Sequence, residues 1–138
     1  EKSDGLVALT LLLDQFSRNI YRGTPAAFSG DAQALALVKA TIERGEDREQ
    51  ASIHRVFLYI PFEHSENLEN QEQGIALFDQ LLLDCDPGNR DRIADFRRYA
   101  VAHRDVIARF GRFPHRNAIL DRQSTAAELE HLQTHGGF

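Results

Sequence analysis

The sequence predicts an all-α domain of antiparallel helical hairpins, and three observations lead to this fold class. Apolar residues recur every three or four positions in six segments, as they do along one face of a helix. No segment shows the strict apolar–polar alternation of a half-buried strand. Glycine and proline lie between the segments, where they end helices. With 138 residues the chain suffices for one such domain with its own core.

The first predicted helix runs from Asp4, as its N-cap, to about Arg18. Its apolar residues cover nearly the whole circumference, so we expect a central and buried helix. They are Leu6, Leu9, Leu11, Leu12, Leu13, Phe16 and Ile20. Residues 19–30 are predicted to form a loop, because they contain Gly23, Pro25 and Gly30.

The next two helices have clear stop signals. The second is predicted to start at Asp31 and to stop at Gly45, a residue suited to a helix C-terminus. The third is predicted to begin near Asp47 and to end near Ile60, because Pro61 disfavours a helical conformation in the residue before it.

The fourth helix is predicted to start at Ser65 as N-cap, with Glu66 and Glu69 in its first turn, where carboxylates complement the helix dipole. Its expected buried residues are Leu68, Ile75, Phe78 and Leu82. A turn-rich loop follows at residues 84–89.

The last two helices have strong local signals. In the fifth, apolar positions from Ile93 to Phe110 repeat by steps of three and four, with His103 in the same row. The sixth opens at Ser124 or Thr125, where Thr125 and Glu128 form a candidate capping box, and it ends at Gly136.

Short loops favour three antiparallel hairpins, formed by helices one and two, three and four, and five and six. Their spacing of roughly forty residues is compatible with a helical-repeat stack. A non-repeating helical bundle is the alternative, because the tetratricopeptide consensus positions are not recognisable.

Composition and charge exclude several classes of protein. The formal net charge is −5, which argues against non-specific nucleic-acid binding, and no apolar run is long enough for a membrane span. The single cysteine fits a reducing compartment, so we expect a cytoplasmic protein. Residues 97–122 carry a charge of +5 and residues 43–86 carry −8, so the two regions are predicted to face each other. The absence of methionine leads us to expect a single domain that lacks a native N-terminal segment.

Two clusters contain histidine. His103 occupies an otherwise apolar row, so it is either a structural histidine with a hydrogen-bond partner or a general base. Glu63, His64 and Glu66 lie at the junction of two predicted helices, and they form either a capped helix start or part of a weak metal site. These groups are the candidate catalytic residues.

Two segments at predicted helix ends, residues 14–22 and 110–117, are rich in arginine. Each is either an anion site or a latch between helices, because the planar guanidinium of arginine matches carboxylate and phosphate. The predicted ligand-binding residues, with the histidine clusters included, are Asp14, Arg18, Asn19, Arg22, Glu63, His64, Glu66, His103, Arg112, His115, Arg116 and Asn117. No phosphate loop, dinucleotide fingerprint or nucleophile elbow occurs in the sequence, so we expect neither a cofactor nor a resident metal.

The same polar segments resemble a known family. The stretches at 12–24, 57–66, 103–107, 110–117 and 124–128 are similar to hallmark stretches of the bacterial family DUF924, with mild departures at Ser17 and Ile60. The resemblance implies antiparallel helical hairpins in a tetratricopeptide-like, right-handed superhelical arrangement, and a further N-terminal segment. It implies no activity. Because the family motifs coincide with the polar segments, a shared cavity is favoured over separate latches.

Two functions are therefore compared. The preferred hypothesis is a non-enzymatic binding or interaction domain, whose polar cleft receives an anionic small molecule or an acidic peptide segment. The alternative is a small hydrolase- or lyase-type enzyme, with His64 or His103 as base, Glu63 or Glu66 as its partner, and arginines that hold an anion. The sequence leaves the oligomeric state undetermined.

Overall fold

The computed structural model describes residues 2–137, with side chains from residue 5 onward, and within this range it is all-helical without a β-strand. Helix α1 consists of three consecutive stretches, of which the middle one is a π-helix: Lys2–Leu11, Leu12–Phe16 and Ser17–Ile20. The other helices are α2 (Asp31–Glu43), α3 (Ser52–Glu63), α4 (Leu68–Asp84), α5 (Arg90–Phe110) and α6 (Ala126–His135).

The core lies among α3, α4 and α5. Helix α4 packs against both α3 and α5, and α3 also contacts α1 and α2. The fully buried side chains of this core include Leu58, Tyr59, Phe62, Phe78, Leu81 and Ile93. The predicted pairing of the third and fourth helices is confirmed. Helix α6 instead packs on the turn Pro114–Arg116, and it reaches the end of α5 through a ring contact of His131 with Phe110.

The prediction of a buried first helix is wrong. The exposed side chains of this segment include Leu9, Leu12, Phe16, Ile20 and Tyr21, and Ile20 is 67% exposed. Helix α1 contacts α2, α3 and the turn Pro25–Phe28, and these contacts leave the side chains of Leu9, Leu12, Phe16 and Ile20 exposed. Asp4 also lies inside the helix, which starts before it and continues to Ile20.

The junction between α3 and α4 departs from two predictions. Pro61 lies inside α3, which ends at Glu63, because burial of Pro61 and Phe62 in the core offsets the one lost backbone hydrogen bond. The N-cap of α4 is Asn67, whose side chain accepts from the Asn70 amide, and not Ser65. As a result, Glu66 lies before the helix and is free to contact other segments. Leu68, predicted to be buried, is 43% exposed.

Other boundaries follow the local signals. The third helix starts at Ser52, because residues around Asp47 form a separate 3-10 turn. Gly45 and Gly111 have φ of 73° and 72°, as residues that follow helices commonly do. The predicted capping box of Thr125 and Glu128 is confirmed.

The prediction that the basic and acidic regions face each other is confirmed by ion pairs between them. Arg104 pairs with Glu72, Arg97 with Asp79, and Arg122 with Glu66. No helix among residues 2–137 has the length and apolar character needed to cross a membrane.

Candidate functional site

A pocket of about 340 Å³ lies where four segments of the fold meet. The segments are the 3-10 turn Pro25–Phe28, the start of α2, the end of α3 with the residues after it, and the turn Pro114–Arg116 with Leu120. Its polar wall consists of Asp31, His64, Ser65, Glu66 and Arg116. Three of these five were predicted as ligand-binding residues from the sequence.

His64 and Asp14 form a hydrogen-bonded pair beside this pocket. His64 directly follows α3, and its Nδ1 lies 2.5 Å from Oδ1 of Asp14, a buried residue in the π-helical part of α1. Burial raises the pKa of Asp14, but His64 and Arg18 lower it more, so this pKa is lowered on balance. With Nδ1 held by Asp14, Nε2 is the nitrogen of His64 that remains for a ligand.

Two ion pairs flank the pocket. Arg18 donates two hydrogen bonds to the carboxylate of Asp31, and it lies 3.9 Å from Asp14. On the other side, Arg122 donates to both carboxylate oxygens of Glu66 at 3.0 Å. Glu66 also accepts from the backbone amide of Phe113 at 3.0 Å. Each acidic residue of the pocket wall therefore has an arginine partner of its own.

Arg116 is the third arginine of the site and has weaker pairing. Its guanidinium lies over the rings of Phe28 and Phe113, 4.5 and 4.6 Å from their centroids, and Nη2 donates to the His64 carbonyl at 2.9 Å. Nη1 lies 3.6 Å from Glu66 and 3.7 Å from Asp31, too far for hydrogen bonds. Nε has no hydrogen-bond partner among residues 2–137. Burial and the charges of Arg18 and Arg122 lower the pKa of Arg116 to about 10.

Glu63 and His103 lie behind His64. Glu63 is 94% buried, and its Oε1 lacks a hydrogen-bond partner in the described part of the chain. Burial, with a contribution from the charge of Asp14, raises the pKa of Glu63 to about 8, so this carboxyl is largely protonated at neutral pH. Its Oε2 lies 3.8 Å from Nδ1 of His103.

The environment of His103 favours the neutral imidazole. Nδ1 lies 2.7 Å from the Tyr99 carbonyl, which provides the expected hydrogen-bond partner. Burial, followed by the charges of His64, His115 and Arg116, lowers the pKa of His103 to about 4. The rings of His64 and His103 are 6.4 Å apart, so the two histidines are neighbours, but only His64 lines the pocket.

The remaining predicted residues divide into three groups. His115 lies against Phe113, with ring centroids 5.6 Å apart, and burial together with Arg116 lowers its pKa to about 4. Arg112 and Asn117 instead donate to the Glu128 carboxylate at the start of α6, and therefore act as a latch.

Asn19 and Arg22 lie outside the site. Both are exposed, and Arg22 donates to Asn19 at 3.4 Å.

One group of metal-type donor atoms occurs in the described residues. Donor atoms of Asp14, Asp31 and His64 lie within 4.8 Å of one another. The guanidinium of Arg18 contacts both carboxylates, so it already provides a positive charge at this position. A metal ion would have to displace this guanidinium.

Sequence reasoning missed four residues that matter to the site. Asp31 and Ser65 were assigned only helix starts, Arg122 was counted only in the charge of the basic region, and Phe28 was assigned no role. Asp31 and Phe28 carry no distinctive local signal. Arg122 lies only five residues after Asn117, so its position in the sequence could have assigned it to the same polar segment.

Comparisons with known proteins agree with the fold. A family model described as a bacterial protein of unknown function, DUF924, matches residues 1–136. A solved structure of a protein of unknown function from Agrobacterium tumefaciens is similar, with a TM-score of 0.82 and 37% sequence identity. The match covers 96% of this chain and 69% of that one. The comparison with curated proteins gave no match.

Proposed function

The chain belongs to the DUF924 family of bacterial proteins, and from that premise we propose that it is a binding protein whose pocket beside His64 holds a small anionic ligand. The family description gives no activity, so the proposal rests on the site. The observation that carries the proposal is the incomplete hydrogen bonding of the buried guanidinium of Arg116. This cation is 94% buried, and its side chain makes a single hydrogen bond to the described residues.

The charges around the pocket support an anionic ligand. Asp31 pairs with Arg18 and Glu66 pairs with Arg122, which leaves Arg116 without a carboxylate at hydrogen-bond distance. A buried charge whose donors are only partly hydrogen-bonded is unfavourable. An anion that accepts from Nη1 of Arg116 would remove part of this penalty.

The pocket favours a small molecule over an acidic peptide. Its volume lies at the lower end of the roughly 300–1,000 Å³ typical of small-molecule sites. Arg112, which was expected to help hold a longer partner, is paired with Glu128. A broad arginine-lined cleft therefore has less support than a pocket with one available arginine.

The proposal is tested by titrating sodium benzoate and sodium phosphate into the protein, with isothermal calorimetry as the measurement. We expect saturable binding of at least one anion, a loss of at least tenfold in affinity for R116Q, and a smaller loss for R116K, which keeps the charge but loses the planar fork. The matched control is R109Q, because Arg109 also stacks on a phenylalanine but is exposed and outside the pocket. The proposal is contradicted if neither anion binds, or if R116Q and R109Q bind the anion equally well.

A second candidate function is favoured by the Asp14–His64 pair. A histidine whose Nδ1 contacts a carboxylate can accept a proton at Nε2, and the carboxylate then stabilises the imidazolium. This arrangement supports the hydrolase- or lyase-type alternative, with His64 rather than His103 as the base. Turnover of small esters, amides and hydroxy acids, followed by proton NMR and lost in H64Q but not in H54Q, is the result expected for an enzyme.

The tetratricopeptide-like, right-handed arrangement belongs to the same proposal. It is supported by the consecutive packing of α3, α4 and α5 across short connections. Such stacks of helical hairpins commonly present binding surfaces.

A further inference from the structure

Resting on the proposed anion pocket, we infer that its ligand is a small monocarboxylic acid with an apolar body. The inference combines three properties of the pocket: the single available guanidinium, the carboxylates beside it, and the apolar remainder of the wall. Together they favour a monocarboxylate with a hydrocarbon body over an inorganic anion.

The apolar part of the wall is the first property. Five of the ten residues that line the pocket have no polar side-chain group, and they come from four segments of the fold: Phe28, Ala32, Leu35, Pro61 and Leu120. A phosphate or sulfate ion that contacted Arg116 would leave this surface in water. A ligand with a hydrocarbon body would bury it, and affinity would rise with each methylene that enters the pocket.

The local charge is the second property. Nη1 of Arg116 has two carboxylate oxygens within 3.7 Å, one from Asp31 and one from Glu66. Both acids are paired, but they still repel an incoming negative charge. Because Asp31 and Glu66 are each hydrogen-bonded to another arginine, Arg116 supplies one positive charge that has no hydrogen-bonded carboxylate. A single negative charge on the ligand matches it.

The arrangement of donors is the third property. The hydroxyl of Ser65 accepts a hydrogen bond from Asn70 at 2.9 Å, so its own proton remains available to a ligand. Ser65, His64 and Arg116 all line the same pocket. A carboxylate has two oxygens, which suits one guanidinium donor and one hydroxyl donor.

The test is a calorimetric titration of the protein with acetate, butanoate, hexanoate, benzoate, hexanamide and inorganic phosphate at constant ionic strength. We expect the affinity to increase roughly threefold to fourfold for each added methylene until the pocket is filled. Hexanamide, which has the same body without the charge, is expected to bind at least tenfold more weakly than hexanoate. Phosphate is expected to bind more weakly than butanoate.

Two variants locate the binding without touching the charged residues. A32W places a bulky ring in the pocket from an exposed position on α2, and it should abolish hexanoate binding. L120S should reduce the gain in affinity per methylene. The matched control is L129S, which changes an exposed leucine on α6 outside the pocket.

The outcomes separate this inference from the proposed function. If phosphate binds as tightly as hexanoate and R116Q removes both, the anion pocket stands and the apolar monocarboxylate is excluded. Carboxylate affinity that is independent of chain length, or unchanged in A32W, also overturns the inference. If no anion in the series binds, the proposed function itself fails.

Discussion

Asp14 and His64 are fifty positions apart in the sequence, and their side chains are joined at 2.5 Å. Asp14 lies in the π-helical stretch of α1, and His64 directly follows α3. A π-helical turn inside an α-helix is often found at functional sites. This contact couples the first helix to the pocket, and four predictions follow from it and from the groups around it.

The first prediction concerns the contribution of Asp14 to stability. D14N removes the charge that contacts His64 and Arg18, and we expect the free energy of unfolding to fall by roughly 1–3 kcal/mol at pH 7. Because the pKa of Asp14 is lowered in the folded state, its stabilising effect is present above the pKa of the unfolded chain. The effect is lost as the pH falls through the lowered value.

Urea unfolding of wild type and D14N from pH 2.5 to 7 measures this difference. The control is D95N, because Asp95 forms an exposed ion pair with Arg98, one turn further along α5. Equal losses in D14N and D95N would show that the buried pair contributes no more than a surface pair.

The second prediction concerns Glu63. Its pKa rises to about 8 on folding, so between about pH 4.5 and 8 the unfolded chain has lost a proton that the folded chain retains. Stability from this group therefore falls as the pH rises across that window, by an amount on the order of 5 kcal/mol in total.

E63Q keeps the shape of the side chain without a titrating group, so it should be more stable than wild type near pH 8 and should lack this decline. Chemical denaturation at pH 5, 6.5 and 8 gives the measurement. E69Q is the control, since Glu69 is an exposed residue in the first turn of α4. A parallel pH profile for E63Q and wild type contradicts the expectation.

The third prediction concerns His103, whose titration has the opposite direction. Its pKa falls to about 4 on folding, so the unfolded chain binds a proton that the folded chain does not bind between about pH 6.5 and 4. Stability from this group is full above the pKa of the unfolded chain and is lost as the pH falls through the window.

H103Q should therefore show a shallower loss of stability between pH 6.5 and 4 than wild type. His115, with a similarly lowered pKa, keeps part of the slope in that variant. The comparison is made by thermal unfolding in buffers of equal ionic strength, with H54Q as the control. If H103Q and H54Q have the same slope, burial of His103 does not account for the acid sensitivity.

The fourth prediction concerns the contact between α1 and the start of α2. A Cβ at Gly30 would lie 1.9 Å from the backbone carbonyl oxygen of Leu13, next to Asp14. Backbone atoms cannot move as a flexible side chain can, so G30A should destabilise the protein by about 3 kcal/mol or more. It should also weaken the Asp14–His64 contact.

G88A is the matched control for this substitution, because an added Cβ at Gly88 has no atom within 4 Å. Urea unfolding measures the stability of both variants, and NMR shifts of the His64 ring report the state of the contact. If G30A is as stable as G88A, the two helices are not packed as closely as described.

The helices themselves could be predicted from the sequence because their signals are local. The three-to-four periodicity, the Thr125 and Glu128 capping box, and the glycines at positions 45 and 111 act within a few residues. The polar segments at the end of α3 and after α5 also marked three of the five polar residues of the pocket wall, His64, Glu66 and Arg116. The opposite charges of residues 97–122 and 43–86 were sufficient to predict that these two regions face each other.

The tertiary structure decided what these signals could not. The prediction that Pro61 ends its helix was wrong, because burial of Phe62 in the core stabilises the last turn beyond it. Glu66 contacts Arg122 and Phe113 across the fold, whereas local reasoning placed it in the first turn of a helix. Asp31 and Phe28 joined the pocket only because the segment after α1 folds back over His64 and Arg116.

What the sequence determined by itself is therefore the number and approximate limits of the helices, since both depend on interactions between residues three or four positions apart. Which arginine is hydrogen-bonded to a carboxylate, and which one lies 3.6 Å or more from its nearest carboxylates, depends on contacts between residues far apart in the sequence. Those contacts are set by the packing of whole helices. For this reason Arg18 and Arg116 looked equivalent in the sequence, whereas the structure gives Asp31 to Arg18 and leaves Arg116 as the available cation of the pocket.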